Sequence, residues 1–160
     1  MAAKDGDTYT VERSTTVAAE PQRVYDQLVD FHKWVDWSPW EGLDPTQQRT
    51  YGGPESGPGA TYAWSGNRKV GRGKMEILEA TAPSDVRVAV NFEKPFKSEN
   101  TSIFTLRPEG SGTHVTWTMI GPQSTVTKLM GMFTSMDKMI GKDFETGLAR
   151  LKAVVESPTS

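Results

Sequence analysis

Residues 112–156 read GTHVTWTMIGPQSTVTKLMGMFTSMDKMIGKDFETGLARLKAVVE, and the hydrophobic period changes once inside them. Up to Met119, apolar Val115, Trp117 and Met119 alternate with His114, Thr116 and Thr118, which is the period of a strand with one covered face. After Gly121-Pro122 the period becomes helical: Val126, Met130, Phe133, Ile140, Phe144, Leu148, Leu151 and Val155 recur every three to four residues. Ser124 or Thr125 suits the start of that helix. About thirty helical residues rise roughly 45 Å, enough to cross a whole sheet. Gly131, Gly141 and Gly147 each weaken the helix by about 1 kcal/mol, so close approach to the sheet is the expected reason for them.

Moving toward the N-terminus, the strand pattern repeats. Val86, Val88, Val90 and Phe92 alternate cleanly; Gly71, Gly73, Met75 and Ile77 oppose Arg72, Lys74 and Glu76; Ala60, Tyr62 and Trp64 share a face. The breaks fall at Ser65-Gly66-Asn67, Ala82-Pro83-Ser84-Asp85, Lys94-Pro95 and Pro108-Glu109-Gly110-Ser111-Gly112. Short connections between alternating strands mean an antiparallel meander. Thr8 to Val17 forms a first strand, with Tyr9, Val11 and Val17 on one side. Pro21 opens a short helix carrying Val24, Tyr25, Leu28 and Val29 and ending near Asp30. Phe31, Trp34, Trp37 and Trp40 follow at spacings of a further short turn, and residues 42–59 read as a loop.

The predicted architecture is α+β: a curved antiparallel sheet of six to seven strands wrapped around a long C-terminal helix, with two short helices after the first strand. One domain over 1–160, with its core at 8–156, accounts for the length. A long amphipathic helix beside a sheet with one apolar face must pack on that face. A twisted sheet curls, and a helix laid across its concave side leaves a cavity wherever side chains do not meet.

Composition narrows the function. Lys+Arg 18 against Asp+Glu 20 leaves a formal charge of -2 without charge blocks, so no nucleic-acid partner is expected. There is no cysteine, which removes disulfides, thiolate zinc sites and thiol nucleophiles. No apolar run approaches the ~18 residues of a membrane span, so no stable membrane insertion is expected. Residues 1–7 show neither a basic nor an apolar leader region, and the cytoplasm is the expected compartment.

Several pieces resemble the START-related helix-grip superfamily, in its polyketide cyclase/dehydrase and lipid-transport branch. They are Val24-Tyr25-Asp26 after Pro21, Trp34-Val35-Asp36-Trp37-Ser38-Pro39-Trp40-Glu41, Gly57-Pro58-Gly59-Ala60, Gly112-Thr113-His114-Val115-Thr116-Trp117, Met136-Asp137, and Asp143 through Lys152. They occur in the family's order over about residues 8–156. The resemblance implies the helix-grip fold, a hydrophobic cavity under the last helix, and a lipid, sterol or polyketide-like aromatic as ligand. It carries over no catalytic residue and no cofactor. A cyclase or dehydratase using the same pocket, and a protein-interaction module like the chaperone-activating relatives, are the other functions it allows.

The expected ligand-contacting residues are Trp37, Trp40, Tyr62, Trp64, Met75, Phe92, Phe104, Trp117, Met119, Met132, Phe133 and Met136, apolar groups on the concave face or the helix underside. Tyr62, Asn91 and Thr118 are candidates to orient a ligand's polar atom. The mouth is expected between residues 42–59, residues 94–97 and the start of the last helix. His32 and His114, the two histidines, lie on different elements without an evident carboxylate partner, so neither a metal site nor a triad is predicted. Gly71-Arg72-Gly73-Lys74 lacks phosphate-loop spacing and reads as glycines at a strand bend, with Arg72, Lys74, Arg13 and Arg107 on solvated faces. Asp36, Glu41 and Asp44 could be paired acids, but loop carboxylates more often form turns.

Overall fold

A computed structural model of the chain describes residues 8–41, 44, 46–67, 71–94, 97–122 and 132–157; the side chains of 132–137 and 139 lie outside that description. The elements follow in the order β1 (Thr8–Val17), α1 (Pro21–Leu28), a 3-10 helix (Phe31–Asp36), β2 (Gln48–Gly52), β3 (Thr61–Ser65), β4 (Arg72–Thr81), β5 (Asp85–Lys94), β6 (Ser98–Glu109), β7 (Gly112–Pro122) and α2 (Met132–Glu156).

The strands make one antiparallel sheet in the order β1-β7-β6-β5-β4-β3-β2, so the first strand pairs with the last and the rest form a meander. Turn chemistry fixes the register. Glu109 pairs with Gly112 across a two-residue hairpin in which Gly110 has φ 60°, while Ser111 has negative φ. That is the glycine-first arrangement whose twist matches flanking strands. β4 shifts register against β5 at Arg72/Gly73 and again at Ile77/Glu79, and such bulges bend a strand. Gly73 thus belongs to a strand bend, as its sequence suggests, whereas Gly71, at φ 63° just before β4, belongs to the turn after β3, its N–H donating to Asn67 O.

Period-two burial runs along the sheet: Val86, Val88 and Val90 on β5, Phe104 and Leu106 on β6, Val115, Trp117 and Met119 on β7. α2 answers with Phe144, Leu148, Leu151 and Val155, all buried at helical spacing. Val24 and Leu28 of α1, which Pro21 starts, close the same core. The helix start expected at Ser124 or Thr125 and the glycine at 131 lie outside the described residues. Gly147 meets the expectation of close approach: a Cβ there would sit 2.8 Å from Pro39 Cδ and 3.0 Å from Trp117 Cζ3.

Two expectations change. Gln48–Gly52, inside the stretch read as a loop, is edge strand β2, paired to β3 from Gln48↔Ser65 to Gly52↔Thr61. It escapes detection because QRTYG buries no residue fully and so has no alternation to read. Arg13 is not on a solvated face: it shares the inner face of β1 with Val11 and Val17, its Nε donates to Glu145 Oε2 at 3.0 Å, and its guanidinium covers Gly141.

Candidate ligand-binding site

The concave face has two ends that differ in closure. At one end Ile77, Val86, Val88 and Val115 of the sheet, Leu148, Leu151 and Val155 of α2, and Val24 and Leu28 of α1 are buried with essentially no surface left. At the other, where β3, β5 and β7 end and β4 and β6 begin, the inner face is less complete: Met75 keeps 8 % of its surface, Val90 5 %, and Trp64 and Phe92 are half-buried. Trp64 and Phe92 stand edge to face, 5.7 Å between centroids. Trp64 can lie there because Gly73 opposite it has no side chain; a Cβ would meet the Trp64 ring at 2.5 Å.

The expected contact residues separate along this gradient. Tyr62, Trp64, Met75, Phe92 and Met119 gather toward the open end. Trp37, Phe104 and Trp117 lie in an aromatic stack between the 3-10 helix, the sheet and α2. Trp117 stacks on Phe144 at 3.9 Å and 7°, on Phe104 at 5.0 Å, and meets Trp37 and Trp40 edge to face. Trp40 is partly buried beside it. The side chains of Met132, Phe133 and Met136 fall outside the described residues.

The indoles show how the stack is tied. Trp34 Nε1 donates to Leu28 O at 3.0 Å and Trp117 Nε1 to Ser102 Oγ at 3.3 Å. Trp40 hydrogen-bonds Asp143, whose carboxyl is nevertheless raised by burial above its usual range. Trp37 Nε1 is buried with no hydrogen-bond partner among the described residues. Asp143, Gly147 and Arg150 form one face of α2, and Ser38-Pro39-Trp40 runs along it, with Arg150 Nη1 donating to Ser38 O at 2.9 Å. Of these three helix residues, Gly147 alone is marked in the sequence, as a helix-interior glycine.

The open end has a polar rim and a polar patch. At the rim, Arg49 of β2 pairs with Glu41, and Tyr62 donates to Glu41 Oε2 at 3.3 Å while accepting from Gln47 Nε2 at 3.2 Å. Burial pushes the Tyr62 hydroxyl well above its usual range, with the Glu41 charge adding to it. On the inner face, Tyr9 donates to Asn100 Oδ1 at 2.5 Å, and Asn100 Nδ2 donates to Val90 O and Ser98 Oγ at 3.2 and 2.8 Å. Sequence reasoning places Tyr9 inward with Val11 and Val17 but misses its partner Asn100 and the nearby Ser102. Counting back by twos from Leu106 and Phe104 was the available signal.

Other candidates resolve otherwise. Thr118 points outward and donates to Glu12 Oε2 at 2.9 Å, and Asn91 lies on the outer face between Lys74 and Glu99. Neither can orient a ligand under the helix, since adjacent strand residues point to opposite faces. Asp44 is a turn former that accepts from Thr46 N, Thr46 Oγ1 and Asn67 N, bonds that hold its carboxyl below the usual range. Asp36 is exposed, and Glu41 belongs to the rim pair. Both histidines do have carboxylate partners, contrary to expectation: His32 Nδ1 lies 2.8 Å from Asp30 Oδ1 and His114 Nδ1 3.3 Å from Glu109 Oε2. These are two surface pairs on separate elements, and among the described residues no three metal-ligating groups converge. No helix among them is long and apolar enough to cross a membrane.

Solved structures share this arrangement. Protein CV1439 of Chromobacterium violaceum aligns with a TM-score of 0.67 at 16 % identity, over 93 % of this chain and 98 % of that one. The Aha1 dimer of Colwellia psychrerythraea gives 0.63 at 16 %, over 94 % and 98 %. DynU16, from the dynemicin biosynthetic locus, gives 0.65 at 14 %, over 92 % of this chain and 47 % of that one. At these identities the likeness is one of fold. A sequence search of the curated proteins found no match. The family model described as polyketide cyclase / dehydrase and lipid transport, however, matches residues 8–156. That span runs from the start of β1 to the end of α2, and the chain belongs to this family.

Proposed function

We propose that the chain is a single ligand-binding domain that takes a small hydrophobic molecule between the open end of the sheet and α2. The observation that carries this reading is the burial gradient: among the described residues of the inner face, Trp64, Phe92 and, slightly, Met75 stay partly uncovered at the end opposite the sealed one. Trp64, Phe92, Met75, Tyr62 and Met119 form the apolar wall. Trp37, Trp40, Phe104 and Trp117 back the site as its rigid floor. Adaptable methionine and flat aromatic surfaces suit a lipid, sterol or polyketide-like aromatic, and the family description names polyketides and lipids.

Affinity follows from desolvation. Burying about 200–300 Å² of ligand at about 25 cal/mol per Å² yields roughly 5–7 kcal/mol gross, and immobilisation brings that to a micromolar Kd. Native mass spectrometry of freshly purified protein is expected to show a co-purified hydrophobic molecule. In calorimetric titration with 2-methoxynaphthalene, Trp64→Ala and Phe92→Ala are each expected to weaken binding about tenfold, equivalent to about 1.4 kcal/mol. Their half-exposure means that thermal unfolding should shift by only a few degrees. An apo mass together with unchanged affinity in both variants would place the ligand elsewhere.

A further inference from the structure

We infer that the Tyr9–Asn100 pair selects, within the proposed site, an uncharged ligand bearing a hydroxyl or other hydrogen-bond donor, and that it rejects carboxylates. This rests on the ligand-binding reading above and deepens it. The pair is built across three strands. Tyr9 lies on β1 and Asn100 on β6, and β7 between them presents Gly121 at that level, paired with Tyr9. A side chain there would collide with Asn100 Oδ1 and the Tyr9 ring, so the glycine leaves the gap that the hydrogen bond crosses.

The arrangement dictates polarity. Both N–H donors of Asn100 are engaged, one by Val90 O and one by Ser98 Oγ, which fixes the amide with its oxygen toward Tyr9. The Tyr9 proton is therefore committed to Asn100, and the phenol oxygen is left with acceptor capacity that no other hydrogen bond among the described residues uses. What such an oxygen lacks is a donor. Burial pushes the Tyr9 pKa up to about 12, so the hydroxyl stays protonated and neutral at physiological pH.

Charge is excluded on the same grounds. Among the described residues the strands bury Asn100, Ser102 and Thr113 as polar groups, and no ionised one. Arg49 at the rim is already paired with Glu41, and Arg13 at the β1 edge with Glu145. A carboxylate entering under α2 would lose its hydration without gaining a counter-ion from the buried strand residues described.

The test is calorimetric titration of the full chain, at neutral pH, with 2-naphthol, 2-methoxynaphthalene and 2-naphthoate, which share one ring system. Wild type is expected to bind 2-naphthol about tenfold tighter than 2-methoxynaphthalene, the value of one net hydrogen bond, and 2-naphthoate at least about tenfold more weakly than 2-naphthol. Tyr9→Phe should erase the preference by weakening 2-naphthol. Asn100→Leu should erase it differently, by freeing the Tyr9 proton and strengthening 2-methoxynaphthalene, an ether that only accepts. Tyr9→Phe keeps the ring, so it remains decisive if Asn100→Leu fails to fold. Equal affinity for 2-naphthoate and 2-naphthol, or a naphthol preference that survives Tyr9→Phe, overturns the inference while leaving the binding site standing. If none of the three probes binds, both this inference and the proposed function fall.

Discussion

Trp117→Ala is expected to lower the free energy of unfolding by about 3–5 kcal/mol, the range for deleting a large aromatic from a packed core. The indole is 1 % exposed and touches rings from three directions: Phe144 of α2, Phe104 of β6, and Trp37 with Trp40 from the segment after α1. Its removal also leaves Ser102 Oγ without the indole donor. At about 2–4 °C per kcal/mol for a chain of this size, the midpoint of thermal unfolding should fall by about 10–15 °C, read by circular dichroism. Trp117→Phe should recover more than half of that loss, because a phenyl ring can still face Phe144, which the indole meets at 3.9 Å, and gives up only part of the bicycle and the N–H that donates to Ser102. A loss under about 1.5 kcal/mol for Trp117→Ala would mean that α2 is held elsewhere, contrary to the packing described.

The contrast with Trp64 shows what the sequence can and cannot resolve. Both tryptophans sit at inward positions of alternating strands, and period two alone makes them equivalent. Their difference is set by what covers them. Trp117 lies under α2 where Phe144 reaches it, whereas Trp64 is one strand from the β2 edge, over Gly73. Coverage depends on where the helix crosses the sheet, a tertiary relation that no local pattern encodes. The sheet and helix themselves were legible because each repeats its signal many times: Val86, Val88 and Val90 on β5, or Phe144, Leu148, Leu151 and Val155 on α2. β2 carries no such repetition, so its stretch reads as loop.

The polar groups were less legible still. Ser98-Glu99-Asn100-Thr101-Ser102 is polar at every position, so nothing within it marks Asn100 and Ser102 as inward. Tyr9 and Asn100 are 91 residues apart and meet only because β1 closes onto β7. Asn91 and Thr118, candidates from strand parity, lie next to inward apolar residues, and adjacency in a strand places a residue on the opposite face from its neighbours. Alternation is therefore a guide to which apolar residues are covered, and a poor guide to which polar residues are useful.

The two described glycines of α2 make opposite predictions from one sequence signal, and this separates helix propensity from packing. Both sit in helix interior, where Gly→Ala gains about 1 kcal/mol if space allows. Over Gly141 the neighbour is the guanidinium of Arg13, the far end of a flexible side chain that can swing aside at the expense of a partly exposed ion pair with Glu145. Such pairs contribute little, so Gly141→Ala should leave stability within about 1 kcal/mol of wild type. Over Gly147 the neighbours are Pro39, a ring fixed in the backbone, and Trp117, locked in its stack. Neither can move without lifting α2 or breaking the contacts of Ser38 and Trp40 with Arg150 and Asp143. Gly147→Leu should therefore cost about 3 kcal/mol or more, at the upper end for overpacking a close-packed site, with Gly147→Ala intermediate. Chemical denaturation of the three variants measures the order directly. If Gly147→Leu is as stable as Gly141→Ala, α2 does not rest on Pro39 and Trp117, and the floor assigned to the ligand site is not rigid.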